Sequence, residues 1–93
     1  MLERVDGRLV VTAPLLMDTA QQLLLAGCAA LEAGEQIIDL GRVEEADSSA
    51  LAVMMGWMRA AQGSGSTLKF ANIPAGVLSL AELYGVAELI PLA

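Results

Sequence analysis

The run Ile37-Ile38-Asp39-Leu40-Gly41-Arg42-Val43-Glu44-Glu45-Ala46-Asp47-Ser48-Ser49-Ala50-Leu51 limits the possible folds more than any other part of the chain. It begins as a short apolar stretch of the kind found inside a sheet, and passes through an acidic loop. It then becomes a helix whose apolar residues recur at helical spacing. Asp and Ser are favoured where a helix starts, because their side-chain oxygens accept bonds from first-turn N–H groups that lack an intrahelical partner. A buried strand thus delivers two serines to a helix N-terminus, beside Glu44, Glu45 and Asp47.

The rest of the chain supplies strands and helices around this unit. Met1 to Val5 is a short strand candidate, Asp6-Gly7 is a hairpin turn, and Arg8 to Thr12 is a β-branched strand ended by Pro14. A helix is expected from Asp18-Thr19 to about Glu32, with Leu23, Leu24, Gly27, Cys28 and Leu31 on one face and Gly34 closing it. Gln36 to Leu40 is the central strand. The second helix runs from about Ser48 to Gln62, and Gly63-Ser64-Gly65-Ser66 reads as a flexible turn. Thr67 to Asn72 alternates as a half-buried strand. Pro74 suits the first turn of a third helix that reaches Tyr84 and ends at Gly85, with Val77, Leu80, Ala81 and Tyr84 as its apolar stripe. The expectation is a single α/β domain over residues 1–93, in the order β-β-α-β-α-β-α. A hairpin comes first and parallel strands joined by right-handed crossovers follow, giving a small mixed four-stranded sheet with about three helices.

Composition narrows what such a domain can do. Hydrophobic residues make up 56% of the chain and aromatics only 3%, so the core is aliphatic and Met-rich, with helices in a single layer on the sheet. The net charge of −6 argues against nucleic acid and against direct docking on an anionic membrane, and favours a basic protein surface as partner. The single Cys28 permits no internal disulfide and reads as a small core residue. Glu3, Arg4 and Asp6 interrupt the start where a signal peptide needs an apolar run, and no stretch is long enough to span a membrane; the expected location is cytoplasmic.

Catalytic chemistry has little to work with. The absence of histidine removes the usual general base and the common zinc ligand. No Gly-Lys-Ser/Thr phosphate cradle follows the glycines near Gly63. Glu44, Glu45 and Asp47 read as a solvated acidic loop, so neither a cofactor nor a metal is expected, and the chain reads as a non-enzyme. One of Ser48 and Ser49 caps the helix, accepts a phosphate, or meets a partner; the residues leave these open. The second helix is apolar around most of its girth: Leu51, Met54, Met55 and Met58 on one side, Ala50, Val53 and Trp57 on another. The second side fills the core or forms a binding face. A domain this small with spare apolar surface would rely on a partner, or on self-association such as a homodimer, to stay soluble.

Asp39-Leu40 followed by Asp47-Ser48-Ser49 resembles the STAS domain, the module of bacterial anti-sigma-factor antagonists, in which an Asp-Ser-Ser or Asp-Thr sequence opens the second helix. Leu80-Ala81-Glu82-Leu83-Tyr84-Gly85-Val86 with Glu88-Leu89-Ile90-Pro91 is similar to the branch that serves as the small cytoplasmic subunit of Mla-type phospholipid ABC transporters. The resemblance covers nearly the whole chain, with Ala50 where the sigma-regulating branch usually has Gly. It implies a non-catalytic subunit, peripheral to the inner membrane, that binds the transporter ATPase and supports outer-membrane lipid asymmetry. Asp47, Ser48, Ser49, Val53, Trp57 and Tyr84 are then the candidate contacts, with the hydroxyl of Ser48 facing the ATPase. The alternative it implies is an anti-sigma-factor antagonist switched by phosphorylation at Ser49. Nucleotide or lipid binding, suspected of some STAS domains, is a third and weaker reading, for which no pocket is legible.

Overall fold

Asp6 and Gly7 both take positive φ, 50° and 80°, in the computed structural model, which describes residues 1–93. A two-residue turn of that hand matches the natural twist of paired strands. It joins β1 (Leu2–Val5) to β2 (Arg8–Val11) as an antiparallel hairpin. α1 (Ala20–Ala30) leads to β3 (Gly34–Asp39), and α2 (Ser49–Ser64) leads to β4 (Ser66–Ala71). Both crossovers give parallel pairs, so the mixed four-stranded sheet has the order β1-β2-β3-β4 with β3 inside. α3 (Ala75–Leu83) and a short 3-10 turn (Ala87–Leu89) follow. The tail then lies along the outer edge of β4: Phe70 N–H donates to the Pro91 carbonyl at 2.9 Å, and Ala93 N–H to the Phe70 carbonyl at 2.8 Å. The element order and the mixed sheet are those expected from the sequence.

The pleat separates two unlike faces. Leu9, Ile38 and Phe70 share one row across β2, β3 and β4, and with Val11, Leu40 and Leu68 they form the floor of a single core. Leu23 from α1, Met54 and Trp57 from α2, and Val77 and Ala81 from α3 pack onto it, every one of them buried. Gln36 is the one polar residue buried on this floor; its amide donates to its neighbour Glu35's carbonyl, but Oε1 has no partner. An acceptor left in that state costs about 1–3 kcal/mol. The opposite face carries Val10, Asp39 and Ala71 in one row, and Ile37 beside Lys69 in the next. No helix covers it. Arg8–Asp39 (3.2 Å), Arg42–Glu3 (3.5 Å) and Lys69–Glu35 (3.7 Å) pair across it instead. Their aliphatic stems shelter the small apolar residues between them, and Val10 and Ala71 are buried despite the missing layer.

Several boundaries depart from expectation, each for a local reason. α1 ends at Ala30 rather than Glu32, because Leu31 turns to extended backbone; Gly34, at φ 96°, starts β3 instead of closing the helix. Gly63-Ser64-Gly65-Ser66 is not a flexible turn. α2 continues through Ser64, Gly65 alone takes the left-handed conformation with its N–H on the Ala61 carbonyl, and Ser66 is already in β4. Pro74 stands just outside α3, as its cap, rather than in the first turn. Tyr84 does not join the apolar stripe of α3: the helix ends at Leu83, Gly85 at φ 71° redirects the chain, and the ring is left 58% exposed. Ile90, buried, joins the core instead.

Candidate protein-docking site

Asp47, not a serine, caps α2. Ser48 already has helical backbone angles and makes no side-chain cap. Asp47 Oδ1 accepts the Ser49 N–H at 2.9 Å and also the Ser49 hydroxyl, while its carbonyl accepts the Ala50 N–H at 3.0 Å. The signal was present in the Asp-Ser-Ser order, since Asp hydrogen-bonds readily to backbone two residues on. The second carboxylate oxygen, Oδ2, accepts the Met17 N–H at 3.0 Å and so ties the β2–α1 loop to the start of α2. The two loops are also laced through backbone: Leu15 N–H donates to the Glu45 carbonyl at 2.9 Å, and Asp47 N–H to the Leu15 carbonyl at 3.0 Å. One carboxylate thus fixes the helix start and an adjoining loop together.

These bonds set the charge state of the acid. The Ser49 hydroxyl, then the Ser49 N–H, hold the Asp47 carboxyl below the usual carboxylate range, and the Met17 N–H adds to them. Asp39, at the far end of β3, is also lowered. Burial there pushes it up, but the Gly41 N–H at 2.8 Å, the Asn72 amide at 3.1 Å and Arg8 together outweigh that.

The cap sorts the candidate residues. The Ser49 hydroxyl is spent on Asp47 and the residue is half-buried, whereas Ser48 is exposed at the tip of α2 with a hydroxyl that no protein group engages. Val53 and Trp57, expected as surface contacts, are corrected: they are 2% and 0% exposed. The Trp57 indole N–H donates to the carbonyls of Leu23 and Leu24, at 3.1 and 3.2 Å, and its ring lies 6.4 Å from that of Phe70. Both residues support α2 from beneath. Tyr84 sits at the opposite end of α3 from Pro74 and Gly76, which flank Ala46.

The structure also brings residues to this region that the sequence reading passed over. Met17 is 80% exposed beside the cap. Val43, Ala46, Pro74, Gly76 and Leu80 line a shallow groove between the loop before α2 and the start of α3. The only available signal for Met17 was an apolar pair, Leu16-Met17, outside any helical stripe; the groove joins segments too distant in sequence to be foreseen.

Charge is concentrated here. Four of the five basic residues sit in ion pairs, namely Arg4–Glu32, Arg8–Asp39, Arg42–Glu3 and Lys69–Glu35. Arg59 and seven acids remain unpaired, and together they make up the whole net charge of −6. Of those acids, Asp18, Glu44, Glu45 and Asp47 surround the tip of α2 and the loops beside it, and Glu82 and Glu88 flank exposed Leu83, Tyr84 and Leu89.

A mixed four-stranded sheet under one layer of helices, with an exposed serine at the tip of the second, defines a small α/β module. The family model described as "Mlab, STAS domain" matches residues 2–91, and the chain belongs to the STAS domain family, on its MlaB-like side. The fold is similar to that of a protein from Thermotoga maritima whose crystal structure describes it as a candidate anti-sigma factor antagonist. The TM-score is 0.74 at 15% identity, over 99% of this chain and 83% of that one. No curated protein matches the sequence significantly. STAS family members are generally non-catalytic regulators or accessory proteins, and no helix here is long and apolar enough to cross a membrane.

Proposed function

We propose that this chain is a non-catalytic accessory subunit that binds the ATPase of a phospholipid ABC transporter of the Mla type, on the cytoplasmic side of the inner membrane, and supports its assembly and activity. The observation that carries the reading is the tip of α2. An exposed, unengaged Ser48 hydroxyl stands on a rigidly capped helix, amid acids that form no ion pair. Such a surface suits a basic protein partner, because complementary potentials speed encounter and fix orientation. The MlaB-like family match supports the choice of partner. Ser48 and Met17 make the centre of the contact, with Tyr84 and Leu83 extending it along α3. Ser49 acts through Asp47 rather than by touching the partner.

Binding of the purified ATPase subunit to the intact chain, followed by calorimetry, tests this. Submicromolar association is expected, and a drop of at least about tenfold, or roughly 1.4 kcal/mol, in Ser48→Lys. No association with the ATPase would refute the reading. Incubation with an anti-sigma kinase and ATP, giving a mass gain that Ser49→Ala abolishes, would replace it with the phosphorylation-switched antagonist.

A further inference from the structure

The groove beside the cap has a definite chemistry of its own. Its walls are Val43 and Ala46 on one side and Pro74, Val77 and Leu80 on the other; Gly76 lies open at its mouth. The one charged residue on its rim is Glu44, which forms no ion pair. The neighbouring cation, Arg42, pairs with Glu3 at 3.5 Å rather than with Glu44. The groove, about 330 Å³, is open to solvent, and Ala46 on its wall lies two residues before Ser48 in the chain.

We infer that this groove takes one large apolar side chain of the ATPase subunit, with a Lys or Arg of the same subunit set against Glu44. The inference rests on the docking reading above and deepens it by naming what the partner must present. An apolar anchor in a pocket, ringed by charge of the opposite sign, is the arrangement that concentrates binding energy in an interface.

Gly76 supplies a clean test, because a side chain built there meets nothing within 4 Å. Gly76→Trp fills the mouth of the groove, while Gly63→Trp places the same bulk on α2 at its far end, equally unobstructed. Affinity for the purified ATPase subunit is measured for both variants and for Glu44→Lys, with thermal melts to verify folding. Gly76→Trp and Glu44→Lys should each weaken binding tenfold or more, and Gly63→Trp should leave it unchanged. A Gly76→Trp chain that folds and binds as tightly as the parent overturns the groove, and with Ser48→Lys still weakening it the docking reading stands alone. Unchanged affinity in Glu44→Lys overturns the cationic part. If the parent chain does not bind the ATPase, the docking reading falls and the groove falls with it.

Discussion

At the scale of single residues, two carboxylates do unlike work with the same chemistry. Asp47 clasps two loops at the start of α2, and Asp39 gathers Arg8, Gly41 and Asn72 at the end of the inner strand. Both are held below the ordinary carboxylate range, so the folded chain binds these protons less tightly than the unfolded one. The stability each contributes is present above the unfolded pKa, about 4, and is lost as pH falls through the folded value. Protonating the unpaired acids relieves repulsion and works the other way, so the informative quantity is a difference. Asp39→Asn should melt below the parent at neutral pH, and the gap should close as pH falls toward about 3; thermal melts across that range check it. A gap independent of pH would mean that the Asp39 charge contributes nothing. The sequence put the right residues at this helix start but left open which of them makes the cap. Asp-Ser-Ser offers three possible capping side chains in a row, and only the backbone angles of Ser48 decide among them.

At the scale of elements, the fit of α1 on α2 fixes where Ser48 stands. Gly27 leaves space for the Trp57 indole, and Gly56 leaves space for Leu24, so the two helices approach closely at two points. A Cβ on Gly27 would lie 2.0 Å from the indole nitrogen, which is itself anchored on the Leu23 and Leu24 carbonyls. Gly27→Ala should therefore destabilise by about 1–3 kcal/mol, overriding a helix-propensity gain of up to about 1 kcal/mol. Gly63→Ala, with nothing nearby, should instead stabilise by about 0.5–1 kcal/mol. Urea unfolding of both variants checks the pair, and a neutral Gly27→Ala would contradict the interlock. Element types and order were legible because alternation in Thr67–Asn72 and the spacing of Leu23, Gly27 and Leu31 each carry one period. The facing of α2 was not. Apolar residues around most of a helix say that it is covered on several sides, without saying whether Trp57 meets α1 or another protein. Tyr84 misled for a related reason: its spacing continues the stripe of Val77 and Ala81, but the left-handed Gly85 turns the chain before the core is reached.

At the scale of the whole molecule, the two sides of the sheet have opposite characters. The uncovered face is neutralised by its own ion pairs and shelters Val10 and Ala71, so it has little left to offer a partner. Apart from Asp6 in the β1–β2 turn, the unpaired acids lie on the loops and helices of the other side, as do the exposed Met17, Leu83 and Tyr84. This asymmetry is a property of the folded chain that no local reading of the sequence could supply, because it depends on which acids find a base across the sheet. It is also the basis of the central claim, that the tip of α2 with its two neighbouring loops and α3 meets the transporter ATPase. Amide hydrogen exchange of the intact chain, free and saturated with the ATPase subunit, tests that claim most directly. Slowed exchange should be concentrated in residues 15–19, 43–52 and 74–84, with β1 and β2 unchanged. Protection confined to the β1–β2 hairpin, with the Ser48 region exchanging as in the free chain, would contradict it.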